Sequence, residues 1–250
     1  MKVGAKEGLR STISFLTVLP IGEGNLEDMA RHAYFFPLVG ALIGLISGGL
    51  GFILFRTLPP PLAGILALLT LLLLTGLNHL DGVLDLGDAL MFRGTKEERM
   101  KVLHDKNHGV GGIAALYFLL SITAVVVMLT GERIFTSFIM AETYAKLSMV
   151  MGGCFGKPHD RGIGRIFILE VRKGIVKNLF LGIVATASVT LALGLPFLTL
   201  VGLFIITLFS IIWTSYLNKV FGCITGDMLG CMNEISRLIC LFLFWVSEVR

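Results

Sequence analysis

The sequence predicts an all-α, polytopic integral membrane protein, a helical bundle of six to seven transmembrane helices forming one embedded domain over residues 1–250. Three observations carry this. Hydrophobic residues make up 55% of the chain and charged residues 15%, where soluble domains carry roughly 25% charge. Mean hydropathy is +0.85. Six apolar segments, at about 35–55, 61–78, 112–130, 136–152, 178–195 and 198–217, each approach the ~20 residues that cross ~30 Å of hydrocarbon. A shorter one, near 235–246, reads either as a tilted or thin seventh span or as a segment lying in the bundle. The breaks fall at Arg56 through Pro61, Gly131 through Arg133, and Leu195-Pro196.

Charge orients these spans. Seventeen of the 21 Lys and Arg lie in four stretches, the N-terminal segment, 79–111, 153–177 and 218–237. Alternating spans place all four on one side, and an excess of Lys and Arg marks the cytoplasmic side of a membrane protein. Arg56 and Arg133 fall on the other, joined by Arg250 if the last segment crosses; Lys146 lies inside a span. The same rule explains the net charge of +4 without a nucleic-acid partner. Residues 1–34 form a cytoplasmic or interfacial segment in which 6–19, partly amphipathic, reads as a helix on the membrane surface. Cys154, Cys223, Cys231 and Cys240 show no metal-ligand spacing and read as small apolar residues.

The carboxylates carry the chemistry. Six of the seven Asp lie in the polar stretches after the first hairpin, three of them in Asn78-His79-Leu80-Asp81-Gly82-Val83-Leu84-Asp85-Leu86-Gly87-Asp88. If the second span continues as helix, ~100° per residue places Asp81, Asp85, Asp88 and Asn78 on one face, with His79 opposite. Three like charges at a membrane boundary repel and lose solvation. A divalent cation offsets that, and an all-oxygen site favours Mg²⁺ or Mn²⁺.

Downstream, Arg93 and Arg99 lead to His104-Asp105-Lys106-Asn107-His108, followed by Gly109-Val110-Gly111-Gly112 ahead of the next span. Backbone N–H groups and cations there suit an anion, and Asp105 is placed to complete a metal site. Glu142 and Lys146, four apart in the fourth span, read equally as a self-neutralising pair and as a wall of the site. Lys157, Arg161 and Arg165 sit in a Gly/Pro-broken loop suited to phosphate, and Asp227 and Glu234 share a helix face.

These motifs, in this order, resemble the cobalamin synthase family, the adenosylcobinamide-GDP ribazoletransferases. Ile13-Ser14-Phe15-Leu16-Thr17-Val18-Leu19-Pro20 is similar to its F-L-T-x-L-P, and Phe35-Phe36-Pro37-Leu38-Val39-Gly40 to its F-F-P-L-V-G. His79-Leu80-Asp81-Gly82 with Asp85 and Asp88 matches H-L-D-G-x-x-D-x-x-D, and Thr225-Gly226-Asp227 with Gly230 and Glu234 matches T-G-D-x-x-G. Asp105 and Gly109 fall in its M-K-D-S-x-x-G, and Lys157-Pro158 with Gly162 and Gly164 in its R-P-x-G-x-G. The chain departs from the pattern at His104, Lys106 and Lys157, and by the extra His159, Asp160 and Arg161.

The resemblance implies a membrane-embedded transferase that moves the adenosylcobinamide-phosphate moiety of adenosylcobinamide-GDP to α-ribazole or its 5′-phosphate, releasing GMP with Mg²⁺. On that reading Asp81, Asp85 and Asp88 hold the metal, and Asp105, Asp227 and Glu234 are catalytic. Asn78, His79, Arg93, Gly109, Lys146, Lys157, Arg161 and Arg165 contact substrate. Asp105, Asp227 and Glu234 are expected to line one cytoplasm-facing pocket with the first cluster. Two rival readings are another membrane transferase for diphosphates, of the CDP-alcohol phosphotransferase or prenyltransferase type, and an ion-coupled transporter. The first conflicts with Leu84-Asp85 where D-G-x-x-A-R needs Ala-Arg. The second conflicts with acids at the boundary rather than the midplane.

Overall fold

The apolar runs fold as long helices whose ends are set by proline and glycine. The computed structural model describes residues 4–249; Lys2 and Arg250, which enter the charge distribution above, lie outside that range. α1 (Ala5–Leu16) turns Gly8, Ser11, Thr12 and Leu16 inward and leaves Lys6, Glu7 and Arg10 exposed, the one-sided pattern of a surface helix. α2 (Leu26–Arg31) is capped by Asn25, whose side chain accepts the N–H groups of Glu27 at 2.8 Å and Asp28 at 3.1 Å.

α3 (Phe36–Thr57) and α8 (Ile134–Phe155) form the centre of the bundle. Gly40, Gly44 and Gly48 share one face of α3 and lie on the backbone of α8 at Glu142, Ile139 and Phe135. Small residues at this spacing let two helices meet main chain to main chain. The numbering runs in opposite directions along the contact, so the two helices are antiparallel.

α4 (Pro60–Leu74) starts on two prolines, whose missing N–H groups cost nothing at a helix start. The second span does not continue into the Asp cluster as the sequence reading had it. Gly76 (φ 68°) and Leu77 (φ 61°) both take left-handed backbone, and the chain bends by 95° into a new helix, α5 (Asn78–Met91). Glycine adopts that region freely; the Thr75 hydroxyl, bonded back to the Leu71 and Leu72 carbonyls, seals the end of α4. α6 (Lys96–Leu103) opens on a reciprocal capping box between Thr95 and Glu98.

α7 (Val110–Thr130) packs its start, Gly112, on α5 at Leu84 and Asp88, and its end, Met128, on Gly64 near the start of α4. α8 starts beside Gly51, at the same end of the bundle as Gly64. α7 and α8 are therefore antiparallel, joined by a 3-10 turn at Gly131 (φ 57°). After α9 (Ile163–Lys173) come α10 (Ile175–Ala192), α11 (Pro196–Phe221) and α12 (Gly226–Val249). By length and apolarity five runs can cross a bilayer, or six with the bent pair. One of them, the 46-residue run Val110–Phe155, holds both α7 and α8.

The last segment requires a correction. It is not short: α12 is 24 residues, and residues 226–237, read above as polar connection, are its first half. Asn233, Glu234 and Arg237 interrupt the hydropathy, yet all three are buried and paired inside the bundle, so the helix passes through them. Arg237 accordingly leaves the count of surface cations. The far end of the molecule is tied by Arg56 to Glu132 at 3.1 Å and by Arg133 to Glu248.

Candidate active site

Glycine brings the two acidic segments together. Gly82 of α5 rests on the main chain of Asp227, and a Cβ there would strike the Asp227 carbonyl; a Cβ added at Gly230 of α12 would lie 3.2 Å from the Cα of His79. The first turns of α5 and α12 thus meet backbone to backbone, and the Asp cluster faces Asp227 across that contact.

Asp85 is half-buried on α5, beyond the 95° bend. His108 Nδ1 lies 3.6 Å from Asp85. Among the described residues Asp81, Asp85, Asp88 and Asp227 have no Lys or Arg partner, so neither Arg93 nor Lys96 neutralises them. This is a carboxylate group short of positive charge, the condition a cation relieves. The protein does not supply a closed cage: no three His, Cys, Asp or Glu among the described residues are grouped to hold a metal. Mg²⁺ asks for less, since one or two carboxylates plus substrate phosphates are its usual protein site.

Asp88 stands apart from its two expected partners. Its oxygens accept the N–H groups of Gly109 at 2.6 Å and Gly112 at 2.7 Å, so it caps α7. Gly109, expected on substrate, is spent on this cap. The carboxylate also benefits from the positive end of α7.

Beside Asp227 opens a cleft of about 510 Å³. Its polar wall is Asn78, His79, His104, Arg161, Thr225 and Asp227; its apolar wall includes Phe15, Phe36, Met149, Phe167 and Leu229. Gly162, at φ 91°, caps α9 and lines the cleft with Gly164. Gly164 also touches the main chain of Thr225 and Gly226, so the N-termini of α9 and α12 converge there. Free N–H groups of two helix starts and the Arg161 guanidinium make one end of the cleft anion-seeking.

Beneath the cleft lies a buried charge network. Arg237 reaches both Glu142 and Glu234; Lys146 lies 3.3 Å from Glu142 and 2.7 Å from the Asn233 carbonyl oxygen. Glu142, Lys146 and Asn233 are wholly buried, Arg237 1% and Glu234 4% exposed. Two acids and two bases balance, as a low-dielectric interior requires. Lys146 and Glu234 therefore lie beneath the cleft wall, each enclosed by its partners, which for Lys146 is the self-neutralising pair of the two readings above.

Asp105 is exposed, accepts the Asn107 backbone and side-chain N–H groups at 3.0 Å, and has its carboxyl held low by those bonds. It does not line the cleft, and neither do Arg93, Lys157 and Arg165, all exposed. Of the acids expected to share one pocket, Asp227 lines the cleft; Asp81, Asp85 and Asp88 lie on α5, which Gly82 sets against the main chain of Asp227, Asp105 stays at the surface and Glu234 lies below. Phe15, Phe36, Phe167, Asn233 and Arg237 belong to the site and were not assigned to it from the residues. Phe15 and Phe36 stand in the motifs quoted above without an assigned role, and Asn233 and Arg237 left a signal as polar residues four apart beside Glu234.

The family described as CobS: Cobalamin-5-phosphate synthase matches residues 8–245. The chain is similar to curated relatives named adenosylcobinamide-GDP ribazoletransferase. That of Methanocella arvoryzae is 30% identical over 94% of this chain and 93% of its own. That of Methanosarcina barkeri is 33% identical over 95% and 91%, and that of Geotalea daltonii 30% over 92% and 93%. No solved structure matches.

Proposed function

The chain belongs to the cobalamin-5-phosphate synthase family, and on that footing we propose that it is an adenosylcobinamide-GDP ribazoletransferase using Mg²⁺. A hydroxyl of α-ribazole, or of its 5′-phosphate, attacks the phosphorus that bears cobinamide. The bond from that phosphorus to the bridging oxygen breaks, GMP leaves with the oxygen, and the hydroxyl proton passes to a base. The observation that carries this reading is the pairing, in one cleft, of Asp227 with an anion-seeking end built from Arg161 and the start of α9.

Arg161 and the N–H groups at Gly162 and Gly164 receive the phosphates of the nucleotide end. The carboxylate of Asp227, the one acid of the cleft wall among the described residues, is the best placed to take the proton of the attacking hydroxyl. Asp81 and Asp85, beside it, would hold Mg²⁺ together with substrate phosphate. That ion would offset charge on the diphosphate and on departing GMP. Asp88, by capping α7, keeps the loop after α6 against α5. Phe15, Phe36 and Phe167 exclude water from the reacting phosphorus.

The positive-inside rule assigns the cleft end to the cytoplasmic face of the cell membrane. The test is incubation of the purified protein with adenosylcobinamide-GDP and either α-ribazole or its 5′-phosphate, with and without Mg²⁺. GMP should form only when the ion is present, in amounts equal to cobalamin from α-ribazole or to cobalamin 5′-phosphate from the phosphorylated acceptor. Absence of GMP with both acceptors would overturn the assignment.

A further inference from the structure

His79 joins the cleft to the buried network, and the network decides what its ring can do. Lys146, sealed in the bundle, is a donor with no acceptor capacity. Its ammonium lies 2.7 Å from Asn233 Oδ1. The reverse orientation of that amide would set an NH₂ group against an ammonium, so Lys146 fixes the oxygen toward itself and the nitrogen away. Asn233 Nδ2 then has two hydrogens and two neighbours: Glu234 Oε1 at 3.0 Å and His79 Nδ1 at 3.1 Å. With Nδ2 donating, Nδ1 must accept. The competing arrangement, an Nδ1–H donated to Glu234 Oε1 across 3.5 Å, would press that hydrogen against the hydrogens of Asn233. Glu234 is held in turn by Arg237, which also holds Glu142, so none of these partners is free to turn away.

A neutral ring that accepts at Nδ1 carries its proton on Nε2. Nε2 has no protein partner among the described residues and is not among their sealed polar atoms; His79 lines the cleft. We infer that Lys146 and Asn233 act as positioning residues that fix His79 as the Nε2–H tautomer, so that His79 donates a hydrogen bond to a phosphoryl oxygen in the cleft rather than accepting a proton there. The inference rests on the phosphoryl-transfer reading of this cleft for the identity of the acceptor; the tautomer itself does not.

The experiment uses the full chain in nanodiscs with ¹⁵N-labelled histidine, the His79 signals being identified by their loss in His79→Gln. The expected spectrum shows Nε2 protonated and Nδ1 bare; a protonated Nδ1 would overturn the inference. In Asn233→Asp the carboxylate accepts where the amide donated, and the proton should move to Nδ1, with KM for adenosylcobinamide-GDP rising about tenfold for one lost hydrogen bond. An unmoved tautomer in that variant would break the relay. A glutamine amide can donate from the Nε2 position but cannot serve as a base. His79→Gln should therefore keep turnover within about tenfold of wild type, with His79→Ala well below it. Equal loss in both would remove the donor role. The spectra need no substrate, so a protein that forms no cobalamin would refute the reaction and leave the tautomer standing on its own measurement.

Discussion

Single residues at the site divide by what already holds them. Among the described residues Asp85 and Asp227 have no Lys or Arg partner, whereas Asp88 is spent on two backbone N–H groups. Asp85→Asn and Asp227→Asn should each lower turnover by at least ~100-fold with thermal stability unchanged. Asp88→Ala should act first on stability, losing about 1–3 kcal/mol because two N–H groups lose their acceptor; an unchanged melting temperature in detergent would refute its capping role. Arg237→Met leaves Glu142 and Glu234 buried without their shared cation and should cost about 3–5 kcal/mol by the same measurement. The Asp cluster stood out in the sequence because three like charges on one helix face at the end of an apolar run need solvent or a counter-charge. Their separate duties were not, because the loop carrying Gly109 folds back on α5 through contacts that no local pattern encodes.

Elements were legible where apolar length alone decides them, and illegible where polar residues are satisfied from outside the helix. The sequence reading shortened α12 because Asn233, Glu234 and Arg237 look like a connection until α8 supplies Glu142 and Lys146 as partners. It likewise ran the second span into the Asp cluster, since nothing before Gly76 announces that Leu77 will follow it into left-handed backbone. α6 is the opposite case. Not assigned above, its start is nevertheless written in Thr95 and Glu98, three residues apart ahead of a helix with little buried surface. Thr95→Ala should therefore cost about 1 kcal/mol, read as faster hydrogen exchange across residues 96–103 with exchange in α8 unchanged; equal acceleration in both would mean that the cap serves the whole bundle.

At the scale of the molecule, the charge count and the antiparallel packing give the same sidedness. Cysteines placed at the exposed positions Lys96, Arg172 and Lys219 should react only with reagents that reach the cytoplasm, and one at Glu132 only with reagents applied outside. All four native cysteines are buried and free, so the background should be low. Labelling of Lys96 and Glu132 from the same side would refute the arrangement. The contact between α3 and α8 has a further consequence, one that belongs to heredity rather than to chemistry. A methyl group at Gly40 has nowhere to go but into the main chain of α8 at Glu142, whose side chain anchors the network below the cleft. The harmless-looking exchange of glycine for alanine in a span that touches no substrate would be scored, in any screen for lost vitamin synthesis, beside changes to the Asp cluster itself. Gly44, pressed on Ile139 one turn further along, would be scored with it. The stretch of gene that tolerates least change is in this way longer than the stretch that encodes the cleft.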